Sequence, residues 1–240
     1  MDITINGYSE RGAMNALFYG IAYRKENDFN GEEAIRRLLW LADIEGEFES
    51  VSFYIECSLS GFGDPDLVII ANDKYGDKTC IFVEAKASGQ GFYDVNVQKD
   101  HHDDYMKKSA KNESSKYDKG HSSNLFFQLR LKNLMFKSSK EDIQKGTELC
   151  SEHRSSNRKL GNNLVVNKLY EEIASCIDAK YVAIVPAKPT EDIDTKKDYG
   201  FDIKFVSWSD INEDPVLGKY IEDVIDFNKV KGKSQILNNK

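Results

Sequence analysis

The chain has 240 residues, 40% of them hydrophobic and 30% charged, with a formal net charge of −7. This composition is typical of a soluble globular protein, and the length allows one sizeable core or at most two small ones. No apolar run reaches the roughly 18 residues of a membrane-spanning helix, and the first residues do not resemble a secretion signal. Four scattered cysteines without a Cys-X-X-Cys motif indicate a reduced, cytoplasmic setting.

The first predicted elements are two helices and a strand. Residues 12–22 are predicted to form a helix that Ser9 caps. Residues 31–42 are predicted to form a second helix, whose acidic start suits the helix dipole. Residues 50–58 alternate in polarity as a strand does.

A β-hairpin is predicted next. Residues 63–70 and 78–86 are β-branched and apolar, as buried strands are. Residues 72–77, between them, have the composition of a tight turn.

The far ends of this hairpin predict a metal site. If the hairpin is symmetric about Tyr75, Asp66 lies opposite Glu84, with Cβ atoms about 4.5–5.5 Å apart. Two carboxylates at that distance repel each other unless a cation lies between them, and their hard oxygen atoms suit Mg²⁺ or Mn²⁺. Strand alternation places Lys86 on the same face as Glu84. We therefore expect a divalent-metal site with an ammonium group beside it.

The second half of the chain predicts an α/β fold. Residues 88–124 are polar and predict a long loop, with at most a short helix near Tyr105. The later elements are predicted as helices over 124–136 and 162–176, strands over 181–186 and 203–208, a helix begun by Asp214 and Pro215, and a polar tail over 229–240. This order predicts one domain over residues 1–228, with a central mixed β-sheet flanked by helices.

The charge is unevenly distributed along the chain. Residues 99–159 carry 14 Lys and Arg against 9 Asp and Glu, whereas the remainder is strongly acidic. A basic segment in an acidic protein is typical of a phosphate-facing surface, although solvated loop and helix faces would give the same count. The candidate nucleic-acid-binding residues are Lys107, Lys108, Lys111, Arg130 and Lys132.

Pro65-Asp66, a gap and then Glu84-Ala85-Lys86 resembles the motif of the PD-(D/E)XK nuclease superfamily, and in particular its bacterial restriction-endonuclease-like members. The resemblance implies a restriction-endonuclease-like fold in which Asp66 and Glu84 bind the metal ion. It also implies that Ala85 offers its backbone carbonyl and that Lys86 orients or activates the attacking water. The alternative interpretation is a surface hairpin whose polar ends are only solvated.

Helices of that superfamily contribute further residues. An acid on the first helix often joins the metal site, and Glu10 is preferred here over Glu33, although both also suit a helix start electrostatically. Some relatives place a glutamine after the catalytic hairpin with a tyrosine four residues later. Gln128 matches the glutamine, but Lys132 stands where the tyrosine would be.

The function expected from this resemblance is Mg²⁺-dependent endonuclease cleavage of DNA in restriction or another defence role, leaving a 5′-phosphate. Two alternatives remain open at this stage. One is a catalytically silent nucleic-acid-binding or scaffold protein on the same fold, and the other is a nuclease for RNA or branched DNA. Symmetric cleavage of both DNA strands would favour a homodimer.

Overall fold

The structure is a computed structural model that describes residues 10–23, 31–88, 94–110, 123–145, 147–148, 157–190, 193–227, 229–230 and 233–234. The described strands are β1 (Phe48–Ile55), β2 (Leu67–Asp73), β3 (Lys78–Ala85), β4 (Thr147–Glu148), β5 (Asn157–Arg158), β6 (Asp178–Val185), β7 (Ile203–Ser207), β8 (Lys229–Val230) and β9 (Lys233–Ser234). The described helices are α1 (Glu10–Tyr23), α2 (Gly31–Leu41), α3 (Val95–Ala110), α4 (Leu125–Lys137), α5 (Lys140–Lys145), α6 (Leu164–Ala174), α7 (Thr195–Tyr199), α8 (Trp208–Glu213) and α9 (Gly218–Phe227).

A five-stranded mixed sheet lies at the centre, in the order β1-β2-β3-β6-β7. The first three strands pair antiparallel, as consecutive strands with short connections can. The pairs β3–β6 and β6–β7 are parallel and are joined by helical crossovers. The α/β class and the mixed sheet predicted from the sequence are confirmed.

Helices cover both faces of this sheet. The odd-numbered apolar residues of β2 and β3 pack against α1, α2, α8 and α9 in one core cluster. The even-numbered ones, Val68, Ile70, Cys80 and Phe82, pack against α4 and α6 in a second cluster. Because both faces are covered, the two arms of the hairpin are apolar along their length rather than alternating. Within the described residues, no helix combines the length and apolarity needed to cross a bilayer.

The prediction of a long loop over residues 88–124 is wrong for residues 95–110, where α3 forms a 16-residue helix, and residues 89–93 and 111–122 lie outside the described ranges. Its buried positions are Val95, Gln98, His102 and Tyr105, which are spaced as one helix face requires. Two of these four are polar, so a pattern of apolar residues does not reveal the helix. Gln98 is held by the start of α4, because the Leu125 N–H donates to its side-chain oxygen at 2.7 Å.

The C-terminal region differs from the sequence prediction in two details. Asp214 accepts hydrogen bonds from the backbone of Val216 and Leu217, at 2.9 and 3.0 Å, and α9 begins only at Gly218, after this turn. In the tail, β8 and β9 pair antiparallel where a frayed segment was expected, and the other tail residues lie outside the described ranges.

Candidate metal centre

The hairpin brings Asp66 and Glu84 together at its open end. Leu67 pairs with Val83, so Asp66, one residue earlier, is opposite Glu84, as predicted. The Ala85 N–H donates a hydrogen bond to Asp66 Oδ2 at 2.8 Å, which fixes this carboxylate beside the end of β3. Strand alternation directs both acids to the sheet face that α4 covers.

Glu84 is a fully buried carboxylate, with 0% of the residue exposed. Its Oε1 lies 2.8 Å from Lys132 Nζ as an ion pair. The second oxygen of Glu84, Oε2, is buried and has no hydrogen-bond donor among the described residues. Burial raises the pKa of Glu84, with Lys132 opposing this effect and Asp66 adding to it. A buried carboxylate of this kind is ionised only with a cation close to it, and the ammonium group of Lys132 is one such cation.

Asp66 is in a similar but less enclosed environment. Burial raises its pKa, while the hydrogen bond from Ala85 lowers it. The positive charges of Lys86, Lys132 and Arg11 also lower the pKa of Asp66. The two acids are therefore surrounded by cationic side chains from three elements of the fold.

Lys86 is anchored at the end of β3 by main-chain and side-chain contacts. Its N–H donates to the Ile184 carbonyl at 2.8 Å, and its own carbonyl accepts from the indole N–H of Trp208 at 2.8 Å. Its Nζ donates to Gln128 Oε1 at 3.2 Å. Only 2% of the residue is exposed. These contacts fix the lysine next to the pair of acids.

Lys132, which the sequence suggests as a nucleic-acid-binding residue, lies inside the fold and not on its surface. Its residue exposure is 0%, and its ammonium group points to Glu84. Gln128 and Lys132 are four residues apart on α4, so they lie on the same helix face and both reach the candidate site. Their four-residue spacing is the sequence signal for this shared helix face, and Lys132 occupies the position where the resemblance implies a tyrosine.

Gly63 makes room for this arrangement. Its φ of +82° lies in the left-handed region, which favours glycine. A Cβ atom at this position would lie 3.1 Å from Lys132 Nζ. Because Gly63 has no side chain, the loop before β2 can approach the ammonium group of Lys132 closely.

The first helix reaches the same end of the sheet. Asn15 Nδ2 donates to Glu56 Oε1 at 2.6 Å, and the Glu56 N–H donates to the Asp66 carbonyl at 3.3 Å.

Glu10 begins α1, but its side chain lies outside the described part, so its predicted ligand role stays a prediction. Glu33 is exposed on α2. Among the described residues, no group of three or more His, Cys, Asp or Glu could hold a metal ion.

Two of the predicted nucleic-acid-binding residues share a cleft formed by α3, α4 and α7. Lys107 and Arg130 line an open cavity of about 350 Å³, together with Lys99, His102, Asp103, Met106, Asp198 and Tyr199. Lys108 forms an ion pair with Asp104 at 3.6 Å, one helical turn earlier. Lys111 lies outside the described residues. Of the predicted nucleic-acid-binding residues, Lys107 and Arg130 are the best candidates for a phosphate-contacting surface.

Comparison of the chain with protein-family models, with curated proteins and with solved structures gives no match.

Proposed function

We propose that this protein is a metal-dependent endonuclease that hydrolyses DNA phosphodiester bonds on a restriction-endonuclease-like fold. The observation that carries the proposal is the buried pair Asp66 and Glu84, with Lys86 on the same face. Two buried acids of raised pKa with an ammonium group beside them are the kind of arrangement found at catalytic sites. The central hairpin of the mixed sheet also fits the resemblance to the PD-(D/E)XK superfamily.

The residues present suit Mg²⁺ or Mn²⁺. Glu84 Oε2 is buried without a hydrogen-bond donor among the described residues, and Asp66 supplies a second anionic group. In a strand, the N–H and C=O of one residue point to the same neighbour, so the Ala85 carbonyl points to the Asp66 side as its N–H does. Asp66, Glu84 and the Ala85 carbonyl would hold the ion, with Glu10 as a further candidate. When bound, the ion would polarise the scissile phosphate and lower the pKa of a coordinated water.

Lys86 is assigned a role in the attack of water on the phosphorus. Its ammonium group would hold the attacking water in line with the phosphorus or stabilise the negative charge that develops there. Gln128 accepts from Nζ and limits the positions that the flexible side chain can adopt. Gln128 is therefore a positioning residue.

Cleavage assays test this proposal directly. Supercoiled plasmid, linear duplex and RNA are each incubated with Mg²⁺, Mn²⁺ or a chelator. We expect metal-dependent cleavage of DNA, leaving a 5′-phosphate, and no cleavage in chelator. Glu84→Gln has nearly the same shape and is expected to be inactive on every substrate. Cleavage that persists in chelator or in Glu84→Gln would contradict the proposal, whereas cleavage of RNA alone would change its substrate class.

A catalytically silent protein on the same fold is the second candidate. The observation that favours it is the ion pair of Lys132 with Glu84, because a resident ammonium group already offsets the charge that a metal ion would neutralise. The presence of Asp66, Glu84 and Lys86 together favours the enzyme. Metal binding by the wild-type protein distinguishes the two, since a silent protein would have no need for it.

We expect DNA to be bound at the cleft formed by α3, α4 and α7. Replacing Lys107 and Arg130 by Ala should weaken binding to all duplex sequences alike, because phosphate contacts carry no sequence information. Each lost contact should reduce the slope of log affinity against log salt by about 0.9. Fluorescence anisotropy at several salt concentrations measures this slope.

Lys74 provides the matched control for this prediction. It lies in the hairpin turn, at the opposite end of β2 and β3 from Asp66 and Glu84, and pairs with Glu47 at 2.8 Å. Lys74→Ala should leave the slope unchanged. Equal slopes for the wild type and the double variant would place the DNA-facing surface elsewhere.

A further inference from the structure

Lys132 has a location that is unusual for a lysine. Its residue is 0% exposed, and its ammonium group forms an ion pair with the equally buried Glu84. Burying an ammonium group is costly unless an opposite charge is close. The left-handed Gly63 leaves the space in which this group lies. The fold thus contains a specific position for one positive charge against Glu84.

The same carboxylate is the one that would hold the divalent ion. Lys132 Nζ is 2.8 Å from Glu84 Oε1, which is ion-pair distance. A divalent ion on this oxygen would be separated from the ammonium group by only a few ångströms. Like charges at such a distance repel strongly in a site from which water is largely excluded. The two cations therefore compete for Glu84.

We propose, on the basis of the proposed function, that Lys132 is a resident counter-cation. It neutralises Glu84 while the divalent ion is absent and moves off this oxygen when the ion enters. When the metal ion binds, it replaces the ammonium group of Lys132 as the cation in contact with Glu84. The exchange keeps the metal-free protein folded, at the cost of a weaker affinity for the metal ion.

Lys132→Met tests the proposal, because methionine fills a similar volume without the charge. Isothermal calorimetry with Mn²⁺ and with Mg²⁺ should show an affinity about tenfold or more above that of the wild type, since the competing charge is gone. In chelator, the variant should unfold at a lower temperature, because Glu84 is left buried without a counter-charge. Saturating Mn²⁺ should reduce or reverse this difference in melting temperature, because ligand binding stabilises the native state.

Lys137→Met is the matched control on the same helix. Lys137 is exposed and donates to the Gly200 carbonyl at 3.3 Å, so its replacement should change neither metal affinity nor the response to Mn²⁺. Lys132→Gln is the second variant, in case the methionine variant does not fold in chelator. It also removes the charge, and its metal affinity should rise in the same direction.

The outcomes separate this inference from the proposed function. Unchanged or weaker metal binding by both Lys132 variants, with normal binding by the wild type, would overturn the counter-cation role and leave the nuclease proposal standing. Absence of metal binding in the wild type and in both variants would overturn the nuclease proposal and the inference together. Tighter binding in the Lys132 variants alone, with Lys137→Met equal to the wild type, is the expected result.

Discussion

Asp66→Asn is expected to lose divalent-cation binding almost completely. The change removes one of two negative charges at the site while keeping the shape of the side chain, and the Asn oxygen can still accept from Ala85. Losing an outer partner of a metal ligand typically costs about 10–100-fold in affinity. Loss of a direct ligand should therefore exceed about 100-fold, as measured by calorimetry with Mn²⁺ and Mg²⁺.

Asp64→Asn is the control for this experiment. Asp64 is exposed, lies two residues earlier in the chain and undergoes the same chemical change. Its variant should bind the ion as the wild type does. If Asp66→Asn also binds the ion with wild-type affinity, the carboxylate pair is not a metal site and the proposed function loses its basis.

Lys86→Met should lose most DNA cleavage while it retains metal and DNA binding. The lysine is assigned to the attacking water or the developing charge, and a single positioned group of this kind contributes about 10²–10⁴-fold in rate. Single-turnover cleavage with saturating metal ion measures the loss in the chemical step. Calorimetry and anisotropy on the same preparation measure the two binding steps.

Lys78→Met, at the other end of β3, controls for loss of a lysine from this strand. Lys78 pairs with Glu172 at 3.0 Å, and its variant should cleave at the wild-type rate. The thermal transition of Lys86→Met should stay cooperative, because the contacts of its backbone with Ile184 and Trp208 do not depend on the side chain. A lost transition would instead identify Lys86 as a structural residue.

The hairpin could be predicted because its information is local. Two apolar segments and a polar turn define both the strands and their pairing, and the pairing alone places Asp66 opposite Glu84. The contribution of α4 could not be predicted in this way. A lysine on a helix is normally exposed, and its partner Glu84 is far away in the sequence, so nothing in the neighbourhood of Lys132 indicates its burial.

The helix α3 could not be predicted either, because part of its buried face is polar. Its buried face includes Gln98 and His102, which a hydrophobicity pattern counts as surface residues. Their burial depends on contacts that form only in the folded state, such as the hydrogen bond from the Leu125 N–H to Gln98. Polar residues with long-range partners are thus the main source of disagreement between the predicted and the observed structure.

The double anchoring of the Lys86 backbone has a consequence for the local stability of the site. Lys86 follows the last residue of β3, where strand ends commonly fray, yet its amide donates to Ile184 and its carbonyl accepts from the fully buried Trp208. Exposing that amide to solvent exchange requires loss of its hydrogen bond to Ile184, where β3 pairs with β6, and the Trp208 indole holds the same residue in place through its carbonyl. The amide of Lys86, the proposed catalytic lysine, is therefore expected to exchange its hydrogen only when the pairing of β3 with β6 opens.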